Sequence, residues 1–322
     1  MKALLICENL IKDITNEGRV WGRVHSVFKN ACNINTDRHL ITLLGREKVM
    51  APMSVMVDDN VDFQKLGIAR GSYFEFRQDE IKCNGQNILI SLDDTPGWFP
   101  GVVSEFTYCA EQELLENIKI MELELNNYGK PYGISPLVGI LITDIPGLYL
   151  SSLRICAPDK NYEFLRCGFI HFMQTVITGD MEKVADAAKG VIGFGPGLTP
   201  AMDDFICGMM IALIYLGNYY KMDTSLIYEF NGWLISQGLS RTTMISAEML
   251  KHAALGETNQ AVRELIQAIL RRPGEGNIAK AMINTVALGE TSGSDTAFGI
   301  YVGCKILANS RYRGEWSNVS VC

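Results

Sequence analysis

The period of the hydrophobic residues changes once along the chain, near residue 105. Before that point, short β-rich segments such as Val20–Phe28 alternate, and the Asn84-Gly85 pair is typical of a tight hairpin turn. After it, apolar residues recur at helical spacing. The sequence therefore predicts an α+β protein, with an all-β barrel or sandwich-like domain over 1–105 and a mainly α-helical domain over 106–322.

Individual elements follow from the same patterns. The expected strands are Val20–Phe28, His39–Leu44, Ser54–Val57, Ser72–Arg77, Ile81–Cys83 and Asn87–Leu92. The expected helices are 162–178, 180–189, 200–219, 223–237, 241–255, 258–271, 276–288 and 294–309, with a further helical pattern over Tyr108–Asn127. Asp93–Gly101 is expected to be a linker or a domain boundary. Tyr128–Pro158, rich in Gly and Pro, is expected to form loops, with one more strand left open.

Composition narrows the class of protein. The chain has 322 residues, 48% of them hydrophobic, and a formal charge of −7. These values favour a globular chain and argue against nucleic acid or an anionic membrane as a partner, because either requires a basic face. The apolar run Phe205–Gly217 is shorter than the roughly 20 residues that span a bilayer, which predicts a buried core helix.

The cysteines and the N-terminus indicate a cytoplasmic protein. The nine cysteines form no Cys-x-x-Cys pair, so a zinc site is not expected, and scattered unpaired thiols fit a reducing compartment. The apolar run Ala3–Cys7 ends at Glu8 and is too short for a secretory signal. Cys207 and Cys304 lie on apolar helix faces and are expected in the core.

Glycine is concentrated in the half that is predicted to be helical. Residues 1–188 hold 14 of the 30 glycines, and the shorter stretch 189–322 holds 16. Glycine inside a helix costs about 1 kcal/mol relative to alanine, so this excess requires a reason. Helix ends, close helix contacts and a ligand against the backbone are the three candidates.

The densest cluster is Gly193-Phe194-Gly195-Pro196-Gly197-Leu198-Thr199-Pro200, followed by Ala201-Met202-Asp203-Asp204. Thr199 is expected to cap the following helix and Pro200 to occupy its first position. A glycine loop that enters a helix presents free N–H groups and the positive end of the helix dipole, which suits phosphate or carboxylate. The alternative is an ordinary capped helix. The spacing fits neither a Walker loop nor a dinucleotide-binding fingerprint.

Two further segments carry similar residues. Thr291-Ser292-Gly293-Ser294-Asp295 again places small and hydroxyl residues, then an acid, before a helix. Between the two glycine motifs, Thr242, Thr243 and Ser246 offer hydroxyls, and Arg241 either binds a carboxylate or phosphate or is a surface arginine. The candidate anion-binding residues are Gly195, Gly197, Leu198, Thr199, Arg241, Thr242, Thr243, Ser246, Thr291, Ser292 and Gly293.

Three acids are candidates for chemistry. Asp203, Asp204 and Asp295 have the hard oxygen ligands that Mg²⁺ prefers, and they are also the acids that commonly cap helices. We predict them as catalytic residues and as the ligands of a Mg²⁺ ion, with helix capping as the alternative. The four histidines are dispersed, which predicts no general base among them.

Together these motifs resemble the AllH-type family of bacterial proteins. The residues that carry the resemblance are Gly195-Pro196-Gly197-Leu198-Thr199-Pro200, Asp203-Asp204, and Gly289-x-Thr291-Ser292-Gly293-x-Asp295, with the intervening Ser/Thr helix ending at Gly256. One departure is Ala201-Met202, where the family usually has Ser-Gly. The resemblance is specific over roughly 190–300, and the family layout of a β-rich part before a helical part matches the predicted one.

The resemblance implies a function in anaerobic allantoin and purine catabolism. It implies the third subunit of an oxamate carbamoyltransferase, which converts oxalurate and phosphate into oxamate and carbamoyl phosphate beside other subunits. Every species in that reaction is a small anion. Two alternatives stay open: a non-catalytic subunit that binds an anion or completes the complex, and an independent Mg²⁺-dependent enzyme acting on a phosphorylated or nucleotide ligand.

Overall fold

The computed structural model describes residues 1–58, 61–103, 107–135, 160–309, 313, 314 and 316, with only the backbone over 160–166. The chain forms two compact units. The first comprises Met1–Gly101 and Thr258–Gln260, and the second follows from Val102. The predicted loops, and the optional strand, of 136–158 lie outside the described residues.

The first unit is a curled sheet of nine strands, a half-barrel. Its order is β8-β7-β6-β2-β3-β4-β5-β1-β9. The strands are β1 Ala3–Cys7, β2 Val20–Phe28, β3 Ala31–Asn35, β4 Leu40–Gly45, β5 Ser54–Val57, β6 Tyr73–Phe76, β7 Glu80–Asn84, β8 Ile88–Ser91 and β9 Gly97–Trp98. Neighbours pair antiparallel except β4 with β5 and β1 with β9.

Buried and exposed residues alternate along strands of this sheet, as predicted. In β2, Val20, Gly22 and Val24 are buried while the residues between them are exposed, so one face packs on the core. The Asn84-Gly85 turn joins antiparallel β7 and β8, with Gly85 at φ +80°. The pattern did not predict β1, β3, β9 or a helix α1 over Glu8–Glu17. Because Gly97–Trp98 pairs with β1, the linker expected over Asp93–Gly101 contains a strand.

The second unit is helical, so the predicted α+β class is confirmed. Its helices are α2 Glu111–Tyr128, α3 Lys160–Thr178, α4 Met181–Lys189, α5 Ala201–Tyr219, α6 Thr224–Ser236, α7 Met244–Ala254, α8 Gln260–Leu270, α9 Ile278–Val286 and α10 Ser292–Ala308. Each of the eight helices expected from residue 162 onward is present, with ends that differ by three residues or fewer.

The core of this unit is built on α5 and α10. Every residue from Ala201 to Gly217 is buried, and Cys207 and Cys304 lie in the core as expected. By length and composition α5 is apolar enough to cross a membrane, but 94% of the qualifying stretch is buried inside the fold, as in the core helix of a globular domain.

Glycines bring α5 and α10 into close contact. A Cβ on Gly208 would overlap the carbonyl oxygen of Thr296, and a Cβ on Gly299 would overlap that of Phe205. Gly303 lies against Met209 and Ala212 in the same way. Three glycines of the helical unit therefore permit the backbones of α5 and α10 to pack closely.

The two core helices run in the same direction. Contacts advance together along both, with Phe205 against Gly299 and Ala212 against Gly303. Their N-terminal ends consequently lie side by side, and this places Asp204 close enough to Asp295 for their charges to interact. The fold thus joins the two glycine motifs of the sequence.

Candidate functional site

The site is formed by the adjacent N-termini of α5 and α10. Each helix dipole places a partial positive charge at its N-terminus, and two such ends side by side repel each other. Carboxylates in the first turns offset that repulsion, and both helices carry them: Asp203 and Asp204 in α5, and Asp295 in α10. All three carboxyl side chains are at most 1% exposed.

The loop before α5 has a backbone that requires glycine. Gly193, Gly195 and Gly197 all have positive φ, at +82°, +121° and +99°. A Cβ on Gly193 would also overlap the carbonyl oxygen of Arg241, and one on Gly195 would lie 2.6 Å from the backbone nitrogen of Ala201. Only a residue without a side chain fits these positions, which explains the alternating glycines.

This loop presents unused backbone donors. The N–H groups of Gly195, Gly197, Leu198 and Thr199 donate to no group among the described residues. Pro196 has no N–H, and the exposed residues of the loop include Gly197 and Leu198. Several N–H groups on a loop at a helix N-terminus form the usual protein site for a small anion.

Asp203 forms hydrogen bonds both with this loop and with the start of α7. Its Oδ1 accepts the N–H of Gly193 at 2.7 Å, and its Oδ2 accepts the hydroxyls of Ser246, at 2.6 Å, and Thr242. The hydroxyl of Thr243 donates to the carbonyl of Leu198 and accepts the N–H of Ser246 at 3.1 Å. These contacts fix the loop's position relative to α7, so they support a positioning role for Asp203.

The cap positions differ from the sequence expectation. Pro200, with an extended ψ of 139°, is the N-cap of α5, so Thr199 is not the cap. The fixed φ of proline suits the last extended residue as well as the first helical one. Thr199 instead places its hydroxyl near the Asp204 carboxyl. Thr243 is the N-cap of α7, and its hydroxyl accepts the N–H of Ser246.

Asp204 has two unpartnered carboxyl oxygens. Both are buried, and neither has a hydrogen-bond partner of normal geometry. Burial raises the pKa of Asp204 well above its usual range, Asp295 raises it further, and the nearby hydroxyls of Ser292 and Thr199 only partly oppose this. Burying a carboxyl without partners of normal geometry is costly, so Asp204 beside a donor-rich loop is a candidate functional residue.

Asp295 binds a segment that sequence reasoning missed. Its Oδ1 accepts the N–H groups of Ile134 at 3.0 Å and Ser135 at 2.8 Å, while its Oδ2 is unpartnered. Gly133, at φ +95°, lies against the carboxyl, where a Cβ would be 2.9 Å from Oδ2. The only sequence signal was this glycine within a Gly/Pro-rich stretch. Burial raises the pKa of Asp295 to about 7.

No basic side chain balances this cluster among the described residues. The pKa of Asp203 is raised, chiefly by burial, and the charges acting on Asp204 are those of Asp203 and Asp295. Burial is the largest cause of the raised pKa of each of the three carboxyls.

The structure brings most predicted site residues together. Thr291, Ser292 and Gly293 begin α10 beside the α5 loop, and Gly293 allows α10 to approach the carbonyl of Thr285. Arg241 contributes its backbone to the packing of Gly193, while its side chain is exposed. The anion-binding and catalytic roles stay predictions.

The three acids do not converge on one point. Among the described residues, they form no group whose ligand oxygens all lie within 4.8 Å of one another. Mg²⁺ binds its oxygen ligands at about 2.0–2.1 Å and demands near-octahedral geometry. A Mg²⁺ ion held by all three acids would require the carboxyls to move, and it stays a prediction.

Two family models match the chain. One, described as oxamate carbamoyltransferase subunit AllH, matches residues 191–304, which include both glycine motifs and α7. The other, described as the AllH family N-terminal domain, matches residues 2–97, the nine-stranded sheet. No solved structure matches the chain.

Proposed function

Because this chain belongs to the AllH family of oxamate carbamoyltransferase subunits, we propose that it binds that enzyme's small anionic substrate at the α5 loop. The reaction is the transfer of a carbamoyl group from oxalurate to phosphate, which yields oxamate and carbamoyl phosphate. The pathway is the anaerobic breakdown of allantoin, the compartment is the cytoplasm, and other carbamoyltransferase subunits are the partners.

The observation that carries this proposal is the set of unused N–H groups over Gly195–Thr199. Oxalurate, oxamate, phosphate and carbamoyl phosphate each have a carboxylate or a phosphate that these donors fit. Negative charge also develops on the carbamoyl oxygen during transfer, and fixed N–H groups stabilise such charge without reorganisation. A chain of net charge −7 can therefore hold an anion with backbone amides alone.

A second candidate is a subunit that binds the anion while the transfer occurs on another subunit. The buried, hydrogen-bonded state of Asp203 favours it, since that side chain positions the loop and is not available for chemistry. Both candidates use the same loop, but they differ in which variants slow turnover and which weaken only assembly or affinity.

The test is a matched pair of glycine variants in the assembled enzyme. Gly197→Val and Gly274→Val both place a β-branched residue at a positive φ, +99° and +89°, where no atom lies within 4 Å of the new Cβ. The backbone strain is therefore similar, but only Gly197 lies in the loop. Carbamoyl phosphate formation is measured with the partner subunits present, and the binding of phosphate and of oxamate is measured by calorimetry.

We expect Gly197→Val to weaken anion binding and slow turnover at least 10-fold, while Gly274→Val behaves like the wild type. Unchanged anion binding in Gly197→Val would overturn the site. Weakened binding with normal turnover at saturating substrate would favour the non-catalytic subunit.

A further inference from the structure

We propose that the carboxyl of Asp204 recognises the N–H groups of the carbamoyl or amide end of the ligand, while the α5 loop holds its acidic end. This inference rests on the proposed anion site. It assigns a specificity role to Asp204, whose two oxygens have no partner of normal geometry.

The first argument is the difference between the three acids. Asp203 has three donors on its two oxygens, and Asp295 has two backbone donors on Oδ1. Asp204 alone of the three has both oxygens unpartnered, although it is 1% exposed. Among the described residues, only the hydroxyls of Ser292 and Thr199 lie near this buried carboxyl, and a ligand that brings N–H groups would offset part of the cost of its burial.

The second argument is position. Asp204 lies in the first turn of α5, and its carboxyl is near the hydroxyls of Thr199 and Ser292. Thr199 is the last of the four loop residues with an unused N–H group. The Asp204 carboxyl therefore lies beside one hydroxyl from each glycine motif, and one of these hydroxyls belongs to a residue of the donor-rich loop.

The third argument is the match to one ligand class. A carbamoyl or oxamate group combines an anionic end, which needs donors, with an NH₂ group, which needs an acceptor. A plain dianion such as oxalate has no N–H to offer Asp204. A bare cation would have to sit against the positive ends of two helix dipoles, which makes it a poorer fit than a neutral amide.

The experiment compares two phosphates that differ in one group. Carbamoyl phosphate and acetyl phosphate have nearly the same size and charge, but the first has NH₂ where the second has CH₃. Affinities of both are measured by calorimetry for the wild type, Asp204→Ala and Asp204→Asn. The control is Asp223→Ala, which removes the N-cap of α6. A site built around an N–H bond discriminates strongly against the ligand that lacks it.

We expect the wild type and Asp223→Ala to prefer carbamoyl phosphate by roughly 10- to 100-fold, the range for a hydrogen bond to a carboxyl. Asp204→Ala should lose this preference with unchanged affinity for acetyl phosphate. Asp204→Asn, which keeps an acceptor oxygen, should retain most of it. The ratio of affinities is independent of how much of the variant is folded, so a purely structural role for Asp204 would not change it.

The outcomes separate the two proposals. Equal affinity of the wild type for both phosphates would overturn the role of Asp204 and leave the anion site intact. An unchanged ratio in Asp204→Ala would do the same. Binding of neither phosphate would overturn the anion site, and with it this inference.

Discussion

At the scale of single residues, three neighbouring acids have three different environments. Asp203 is saturated with hydrogen bonds, Asp204 has none of normal geometry, and Asp295 uses one oxygen only. From the sequence alone the three acids have one shared predicted role, because residue types do not reveal which donors approach each side chain. The donors come from Gly193, from the start of α7 and from Ile134–Ser135, which the fold supplies.

Asp295 should make stability depend on pH. Its folded pKa of about 7 lies above the unfolded value of about 3.9, so the folded state binds the extra proton. The favourable contribution is complete below the unfolded pKa and is lost as pH rises through 7. A pKa difference of about 3 corresponds to about 4 kcal/mol, which is the scale of the loss.

Asp295→Asn should remove this dependence. The amide oxygen can still accept the N–H groups of Ile134 and Ser135, and the NH₂ group replaces the unpartnered Oδ2. Urea unfolding should show the variant more stable than the wild type at pH 8.5, with the difference disappearing toward pH 4.

Asp180→Asn provides the control of opposite sign. Asp180 caps α4, and its hydrogen bond with Lys183 lowers its pKa, so its contribution is present above the unfolded pKa and is lost as pH falls. This variant should be less stable than the wild type at pH 7 and equal to it in acid. If Asp295→Asn were destabilising at every pH, the raised pKa would not be the dominant effect.

At the scale of elements, the central feature is the parallel contact between α5 and α10. Parallel helices place their positive ends together, and the acids in the first turns of both helices offset the resulting repulsion. The contact depends on Gly208, Gly299 and Gly303, where a Cβ would meet the other helix. Each of these glycines lowers the helix propensity of its segment, but it also allows the backbones of the two helices to pack closely.

Alanine substitution distinguishes packing glycines from the rest. Gly208→Ala and Gly299→Ala should each destabilise the helical unit by about 1–3 kcal/mol or more, because the new methyl group overlaps a backbone carbonyl that cannot move freely. Gly232→Ala in α6 is the matched control, since no atom lies within 4 Å of its Cβ, and it should stabilise by up to about 1 kcal/mol. Denaturant unfolding measures all three. If all three substitutions changed the free energy of unfolding by the same amount, helix propensity and not close packing would explain the result.

At the scale of the whole molecule, each of the two units has its own core and its own match to the AllH family. All of the predicted site residues belong to the helical unit. A ligand at the α5 loop should therefore stabilise the helical unit against unfolding, because binding stabilises the part of the chain that forms the site.

Hydrogen exchange tests this assignment on the full chain. With carbamoyl phosphate at 100 times its dissociation constant, binding contributes about 2.7 kcal/mol to the free energy of unfolding. Amides of 193–204 and 289–295 should exchange more slowly, and those of β2–β8 should not change. Protection confined to the sheet would place the ligand elsewhere.

The sequence by itself determined the class of the fold, most of the helices and the two glycine motifs. Hydrophobic period and glycine spacing are local properties, and local interactions dominate a helix or a hairpin. The same locality explains two of the misses, because β1 and β9 are held by pairing with strands distant along the chain.

Only the tertiary structure decided how the motifs meet. Asp203 and Ser246 are 43 residues apart in sequence, and Asp295 and Ile134 are 161 apart. No periodicity connects such positions; they meet because α5 packs on α7 and because the start of α10 contacts the segment after α2. The difference between a saturated Asp203 and an unpartnered Asp204 follows from that packing, because burial and the direction of approaching donors are properties of the assembled core.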